Sequence, residues 1–267
     1  MLIKAKELIE EEIEQLKNFL SQDISHRQKF LIERKLRLLQ SSHTGELSST
    51  HFINFYYQDN RDWAVIHDFS VENNGDAAQF DHILINRQFN FFVIESKNFP
   101  YGIKITAEGE FLVDDGHRYQ NVESPIAHNQ KQIEVLKKVL KENKLMPKRL
   151  GIQIKPKIKY FILVSPQSEV VRPSGNIFDS SMVVKADMFI KALLKKNGKN
   201  RRMGNNIKLL KKKLKKDPLI KLAFRLASLH QPSNGDYRMK FCLDNSPPPP
   251  PLDAGPQDST ALGDFST

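Results

Sequence analysis

The chain has 267 residues, of which 39% are hydrophobic and 27% are charged, and its formal net charge is +10. This length suffices for one medium-sized globular domain with appendages. The excess of positive charge favours a polyanionic partner, most often nucleic acid and less often an anionic membrane surface. A single cysteine, Cys242, excludes an internal disulfide and a structural zinc site built on several cysteines.

The sequence also argues against export and membrane insertion. No apolar run approaches the ~20 residues that a membrane-spanning helix needs. The acidic run Glu10–Glu12 follows the N-terminus closely, which is unlike a signal peptide. A lone cysteine fits a reducing compartment. We therefore expect a cytoplasmic protein with no membrane partner.

The first segment, residues 3–40, is predicted to form two helices. Ile9, Ile13, Leu16 and Leu20 follow the spacing of one apolar helical stripe, and a polar break follows at residues 21–23. Two helices joined by a short link often form an antiparallel hairpin, so residues 1–40 are expected to be an N-terminal helical hairpin. It would serve as an arm for a homodimer or a protein partner, or it would fold against its own domain.

Residues 43–184 combine helical and strand patterns and are predicted to form the core. A linker at residues 41–44 precedes a helix that begins at Gly45. The later segments are predicted as strands at 62–69, 80–86, 90–97 and 158–164, a polar loop at 114–123, and a helix from Ser124-Pro125. This order predicts an α/β core on a mixed sheet.

Three ionisable residues stand out on two consecutive predicted strands. The strands are joined by a turn at Arg87-Gln88, so a hairpin would bring Asp81 near Glu95 and Lys97. Glu95 and Lys97 point the same way because side chains alternate along a strand. Mg²⁺ prefers carboxylate oxygens, and a neighbouring ammonium stabilises negative charge that develops on a phosphate. The pattern therefore predicts a metal site suited to phosphodiester hydrolysis.

Four ordered motifs resemble those of a known family. They are Gly45-Glu46, Phe80-Asp81-His82, Val93-Ile94-Glu95-Ser96-Lys97-Asn98 and Ser124-Pro125. Asp81 followed by Glu95-Ser96-Lys97 is similar to the PD-(D/E)xK nuclease motif. The ordered set resembles the nuclease-related domain (NERD) over about residues 43–165. One departure is Phe80, which stands where the superfamily commonly has proline.

The resemblance implies a restriction-endonuclease-like core and a Mg²⁺- or Mn²⁺-dependent nuclease, expected to act on DNA as an endonuclease. By resemblance, Asp81 would bridge the metal, Glu95 and the Ser96 carbonyl would be further ligands, and Lys97 would orient the attacking water. Glu46 would complete the carboxylate cluster directly or through water. The family usually carries a glutamine near the first turn of the next helix, where this chain offers His128 or Gln130.

The C-terminal third is strongly basic. Residues 185–243 are predicted to be a basic helical extension, in which residues 195–216 contain eleven basic residues and no acid. We expect this run to bind phosphates without sequence preference. Its residues are Lys195, Lys196, Lys199, Arg201, Arg202, Lys208, Lys211, Lys212, Lys213, Lys215 and Lys216. A proline run begins the last segment, residues 244–267, which is predicted to be a disordered tail.

Two alternatives stay open at this point. The chain could be a catalytically inactive nucleic-acid-binding scaffold that recruits partners. It has Phe80 where the superfamily commonly has proline, and His128 where the family usually has glutamine. The three central residues favour an enzyme, because a scaffold has no need to hold mutually repelling carboxylates together. RNA is the alternative substrate, since the basic residues predict backbone contacts that both nucleic acids offer.

Overall fold

A mixed sheet with helices on both faces forms the centre of the fold. The computed structural model describes residues 1–149, 152–174, 177–198, 216–231 and 237–243. The strands are β1 (Leu2–Lys4), β2 (Trp63–Asn73), β3 (Asp76–Asn86), β4 (Asn90–Lys97), β5 (Ile103–Ile105), β6 (Phe111–Asp114), β7 (Tyr119–Val122), β8 (Lys148–Arg149), β9 (Ile152–Gln153), β10 (Lys157–Val164), β11 (Val170–Val171) and β12 (Val183–Lys185). The helices are α1 (Glu10–Leu20), α2 (His26–Tyr57), α3 (Pro125–Glu142), α4 (Phe189–Gly198), α5 (Lys216–Ala227) and α6 (Tyr237–Lys240), with a 3₁₀ turn at Ala186–Met188.

The central sheet has six strands in the order β1-β2-β3-β4-β10-β12. The pairs β2–β3 and β3–β4 are antiparallel hairpins, whereas β1–β2, β4–β10 and β10–β12 are parallel. A second, four-stranded sheet has the order β11-β5-β6-β7. The predicted α/β core with a central mixed sheet is confirmed, and it is consistent with a restriction-endonuclease-like fold.

Each face of the central sheet has its own apolar core. Alternate residues of β2, β3 and β4 pack with α3 and α5 on one face, where Ile83, Val93, Leu136 and Leu222 are buried. The intervening residues pack on the opposite face with α2 and α4. Strands covered on both faces read as continuous apolar runs, which is why Phe91–Ile94 has no polar residue. The layers hold β3 and β4 rigidly from both sides.

Tight turns fix the register of the three central strands. The β2–β3 turn is Asn74-Gly75, and both residues have positive φ, 54° and 85°. Two positive φ angles match the twist of a two-residue hairpin, and Asn-Gly is the favoured pair there. The turn between β3 and β4 falls at Arg87-Gln88, as predicted, and is followed by Phe89 at φ 59°. The hairpin register therefore brings the predicted acidic residues to one end of the sheet.

The predicted linker at residues 41–44 is wrong, because α2 runs unbroken through it. The Thr44 hydroxyl donates to the Gln40 carbonyl one turn earlier, at 3.0 Å, which satisfies it within the helix. The Asn98 side chain also donates to the Ser41 carbonyl at 3.2 Å. Packing on the sheet thus overrides the turn-forming tendency of Ser-Ser-His-Thr, and a helix crosses the predicted boundary between hairpin and core.

The N-terminal segment differs from the prediction at its start. Residues 2–4 form β1 and extend the sheet beside β2, rather than beginning a helix. Helices α1 and α2 then pack together, with Leu16 and Ile32 fully buried, and α6 covers them through Tyr237 and Phe241. The hairpin therefore packs with another part of its own chain. Its service as an arm for a dimer or a partner stays a prediction, and Phe30 of α2 is 57% exposed.

Two further predictions meet the structure in the C-terminal half. The predicted loop at residues 114–123 contains the strand β7, because its backbone pairs with β6. In the basic run, Lys195 and Lys196 lie in α4 and Lys216 begins α5, whereas residues 199–215 lie outside the described residues, as does the tail. In the described part of the chain, no helix is long and apolar enough to cross a membrane.

Candidate active site

The site forms where β3 leaves β4. The two strands pair as far as His82–Ile94, but β3 continues beside β2 to the hairpin tip, and β4 continues beside β10 to Lys97. Ile66 and Phe69 of β2 are three positions apart, yet both belong to the core cluster on one face of the sheet, and the same is true of Phe80 and Ile83 of β3. Residues three positions apart in a regular strand would face opposite sides. The alternation of side chains is therefore interrupted in both strands. The splayed end of the sheet opens a cleft.

Asp81 occupies the point of separation and replaces the missing strand partner. Its Oδ2 accepts a hydrogen bond from the backbone N–H of Ser96 at 2.7 Å. Asp81 is only 9% exposed. Burial, reinforced by the nearby carboxylates of Glu95 and Glu46, raises the pKa of Asp81 well above its ordinary value. The charges of Glu95 and Glu46 therefore reach Asp81 and disfavour its ionised form.

Lys97 lies at the same end of β4 and forms an ion pair with Glu95, with Nζ and Oε1 2.8 Å apart. Burial lowers the pKa of Lys97, but the carboxylates of Glu95, Asp81 and Glu46 outweigh it and raise the pKa above its ordinary value. Lys97 is therefore a cation at neutral pH. The structure thus brings Asp81, Glu95 and Lys97 together as predicted.

Glu46 reaches the cleft from α2, but its direct partner is a residue that the sequence did not indicate. Its Oε2 forms a short ion pair with Nζ of Lys6. The same ammonium lies 3.2 Å from both carboxylate oxygens of Asp68. Lys6 and Asp68 are separated from Glu46 by 40 and 22 positions, and no local pattern marks either residue. Only the tertiary structure reveals this ion-pair network.

A chain of buried hydrogen bonds supports Ser96 from the opposite face of the sheet. Nε2 of His82 lies 3.1 Å from the Ser96 hydroxyl, and Nδ1 of His82 lies 2.8 Å from Nδ1 of His67. His67 in turn contacts Oδ1 of Asn54 on α2 at 3.0 Å. Burial lowers the pKa of His67 to about 4 and that of His82 well below its ordinary value. His82 is therefore a buried, hydrogen-bonded histidine.

One cleft of about 1100 Å³ collects most of the predicted site. Its lining includes six predicted residues, which are Glu46, Asp81, Glu95, Ser96, Lys97 and His128. Gln130 is exposed and is not among the lining residues. Gln132 lines the cleft instead, and its Nε2 lies 2.9 Å from Nε2 of His128. The i, i+4 spacing from His128 on one helix could have indicated Gln132.

The donor set suits a hard divalent cation. Mg²⁺ is usually bound by one or two carboxylates and keeps several waters, and Asp81 and Glu95 offer two beside an ammonium. Gln132 is 7% exposed, and its Oε1 is a buried acceptor with no hydrogen-bond partner. Among the described residues, no three or more His, Cys, Asp and Glu side chains are grouped so that they could hold a metal ion. The fit therefore depends on two carboxylates and water.

Comparison with known proteins gives one match. Residues 41–165 match the family model of the nuclease-related domain, NERD. Searches of curated proteins and of solved structures found no match. The matched residues run from the second half of α2 to the end of β10, so they contain the splayed strands and the six predicted residues that line the cleft. Over residues 41–165, the chain is therefore similar to the nuclease-related domain family.

Proposed function

We propose that this protein is a metal-dependent nuclease that hydrolyses phosphodiester bonds, with DNA as the expected substrate. The observation that carries the proposal is the convergence of Asp81, Glu95 and Lys97 at the splayed end of β3 and β4, in a cleft open to solvent. The family match supports a nuclease-related activity. The metal, the substrate and the individual residue roles are our inference from the chemistry of the cleft.

Asp81 and Glu95 would hold the metal ion, with the Ser96 carbonyl as a further ligand. A bound Mg²⁺ or Mn²⁺ would polarise the phosphate and lower the pKa of a water molecule. The Ser96 N–H orients the Asp81 carboxylate. The backbone of Ser96, whose carbonyl would be a metal ligand, therefore also fixes the ligand Asp81. Two carboxylates in a partly buried site repel each other, and a cation that lies between them would stabilise both in the ionised form.

Lys97 would act as a fixed positive charge rather than as a base. Its raised pKa keeps the ammonium protonated, so it donates hydrogen bonds and cannot accept a proton from water. An ammonium beside Glu95 would orient the attacking water and stabilise negative charge on the phosphate oxygens. We assign further contacts with the phosphate or with Lys97 to His128 and Gln132, whose side chains are hydrogen-bonded to each other. Gln130, which is exposed, is a weaker candidate.

The basic run would supply affinity for the nucleic acid. In the part of this run that the structure describes, Lys195 and Lys216 are exposed. Lys131 also lines the cleft with its side chain 78% exposed. Lysine contacts to phosphates are independent of base sequence and weaken as salt increases. We therefore expect binding that is not selective for sequence.

A catalytically inactive nucleic-acid-binding scaffold is the second candidate. The observation that favours it is that the described residues offer no ready-made cluster of three metal-binding side chains. Glu46, the third predicted carboxylate, is bonded to Lys6 instead. A scaffold would keep the cleft and the basic surface but would neither bind a divalent cation nor cut.

Cleavage of plasmid DNA tests the proposal. Circular and linear plasmid would be incubated with the full chain in Mg²⁺, in Mn²⁺ and in chelator. The variant Lys97→Met removes the ammonium at the site. Lys137→Met is the matched control, since Lys137 forms an exposed ion pair with Glu134, at 2.7 Å, and does not line the cleft.

We expect metal-dependent nicking of the circular plasmid by the wild type and by Lys137→Met, and a loss of at least ~100-fold in Lys97→Met. Equal DNA retardation by all three proteins would show that binding is intact. If the wild type retards DNA but cuts in none of the conditions, the scaffold replaces the nuclease. Cutting in chelator would contradict the metal requirement.

A further inference from the structure

Lys6 bridges two carboxylates at the edge of the candidate site. Its Nζ contacts Oε2 of Glu46 and lies 3.2 Å from Oδ1 and from Oδ2 of Asp68. The Lys6 side chain is only 8% exposed, and those of Glu46 and Asp68 are 18% and 13% exposed. One cation that touches oxygens of two different carboxylates reproduces the contacts that a bridging metal ion makes.

The backbone holds Lys6 in this position. Strand β1 pairs with β2 up to Lys4–Ile66, and the N–H of Glu7 donates to Oδ2 of Asp68 at 2.7 Å. Lys6 is thus fixed between two backbone contacts, one on each side. It lies outside the residues that match the family, so the ammonium comes from an N-terminal segment that the nuclease-related domain does not include.

Asp68 lies on β2, next to the strand that carries Asp81. It lies across the β2–β3 ladder from Asp81, since the flanking pairs are His67–His82 and Phe69–Phe80. Its φ of 47° is rare for a residue with a side chain inside a strand. Such strain is usually found at functional sites, where the surrounding structure enforces it. The distorted residue is therefore joined to the site through Lys6 and Glu46, although no sequence motif marks it.

The charges of the site balance with one divalent cation. With a cation bound and all four carboxylates ionised, Glu46, Asp68, Asp81 and Glu95 would contribute four negative charges, and Lys6 and Lys97 two positive charges. A single Mg²⁺ at Asp81 and Glu95 would complete neutrality. A second divalent ion would have to displace Lys6 or add uncompensated positive charge, which a partly buried site disfavours.

We propose that the Lys6 ammonium takes the place of a second metal ion, so that the site binds one divalent cation. This inference rests on the proposed function, and it makes the N-terminal segment part of the active site. Removing the ammonium frees the Glu46 and Asp68 carboxylates as an additional pair of oxygen donors. The variant without it then binds two divalent ions.

The number of bound Mn²⁺ ions tests this proposal without any measurement of activity. Electron paramagnetic resonance of free Mn²⁺ during titration gives the stoichiometry for the full chain. The variants are Lys6→Met, which keeps the length of the side chain, and Lys4→Met as the matched control. Lys4 lies two residues away and pairs with Glu7 at 2.8 Å. The double variant, Lys6→Met with Glu46→Gln, removes both charges of the Lys6–Glu46 ion pair. It also removes one of the two carboxylates that would hold a second metal ion.

We expect one Mn²⁺ in the wild type and in Lys4→Met, two in Lys6→Met, and one again in the double variant. Two ions in the wild type overturn the proposal even if Lys6→Met does not fold, and one ion in a folded Lys6→Met also overturns it. Either result leaves the nuclease intact. A wild type that binds no Mn²⁺ overturns the metal-dependent nuclease, and the role of Lys6 with it.

Discussion

Asp81 is a residue that function explains better than stability does. It is a buried carboxylate beside two others, and its raised pKa records the free energy needed to keep it ionised. Such a group contributes most to stability when it is protonated, so its contribution is lost as the pH rises through its folded pKa. A carboxylate kept under these conditions is typical of a site that binds a cation.

Replacing Asp81 by Asn should therefore raise stability and abolish metal binding. The amide keeps an acceptor for the Ser96 N–H and removes the charge repulsion. Without metal at pH 7, we expect a gain of about 1 kcal/mol in the free energy of unfolding, which raises Tm by about 3 °C. Thermal melts with and without Mn²⁺ measure both effects, since a ligand of the folded state raises Tm.

Asp76→Asn is the control for this prediction. Asp76 lines the same cleft but is half exposed and pairs with Lys138 at the surface, at 2.6 Å. Its replacement should leave Tm within about 2 °C of the wild type and keep the Mn²⁺-dependent increase. An Asp81→Asn protein that melts lower than the wild type in the absence of metal would show that the carboxylate is stabilising as it stands.

The sequence indicates single residues where the signal is local. Asp81, Glu95 and Lys97 were predictable because a short turn joins their strands, so strand periodicity and hairpin register place them together. Gln130 was a poor choice because two helical positions turn a side chain by about 200° from His128, whereas Gln132 returns to the same face. Lys6 and Asp68 come from segments distant in the sequence, and no periodicity connects them.

His67 predicts a loss of stability in mild acid. Its pKa is lowered to about 4 in the fold, so between pH 6.5 and 4 the unfolded chain binds a proton that the folded chain does not. The contribution of neutral His67 is thus complete above pH 6.5 and declines as the pH falls through this window. We expect a loss of about 2 kcal/mol between pH 7 and pH 5, and His82 acts in the same direction.

Urea unfolding at pH 7 and pH 5 measures this change in the wild type and in His67→Gln. The variant is less stable at pH 7, because the hydrogen bonds to Asn54 and His82 are altered, but its stability should change less with pH. His51→Gln, at an exposed position of α2, should keep the full pH dependence. An unchanged pH dependence in His67→Gln would mean that His67 is protonated within the fold.

At the scale of the element, α2 is organised by its contact with the end of β4. An ideal Cβ on Gly45 would lie 3.2 Å from Cβ and 3.3 Å from the backbone nitrogen of Asn98. Asn98 follows Lys97 directly and also donates to Ser41, one turn earlier on α2. The glycine thus permits a close approach between the helix and the strand end that carries the candidate catalytic residues.

Gly45→Ala should therefore destabilise the protein, although alanine is the better helix former. At an open helix position the change would stabilise by about 1 kcal/mol, but here the added methyl must push the Asn98 backbone away. We expect a net loss of about 1 kcal/mol in urea unfolding, with weaker cleavage because Lys97 moves with Asn98. Thr44→Ala, exposed on the neighbouring position, should stay within about 0.5 kcal/mol of the wild type. A more stable Gly45→Ala would show that α2 can move aside at no cost.

Element types were predictable in the core, but the full extent of α2 and the presence of β1 were not. The strands β2, β3, β4 and β10 and the start of α3 follow apolar runs and an N-terminal Ser-Pro, which are local signals. The unbroken α2 depends on packing, since Ser41 and Gly45 are helical where Asn98 contacts them. Strand β1 has three residues and pairs with residues 62 and 63 positions away, Lys4 with Ile66 and Leu2 with Val65, so local patterns could not reveal it.

At the scale of the whole molecule, charge is distributed unevenly along the chain. The last 24 residues carry four aspartates and no lysine or arginine, so the preceding residues carry all of the positive excess. If residues 195–216 are the main phosphate-binding surface, the affinity for nucleic acid should fall steeply as salt increases. Each phosphate contact contributes about 0.9 to the slope of log K against log salt concentration.

Replacing Lys211, Lys212 and Lys213 by glutamine should reduce this slope by about 3. The matched control replaces Arg27, Lys29 and Arg34, which are exposed on the N-terminal half of α2, so both triple variants have the same net charge. Fluorescence anisotropy with a labelled duplex at several salt concentrations measures the slopes. A local binding surface lowers the slope only in the first variant. Equal reductions in both would instead mean that overall charge, rather than the basic run, attracts the nucleic acid, because long-range attraction depends on the summed field of the protein.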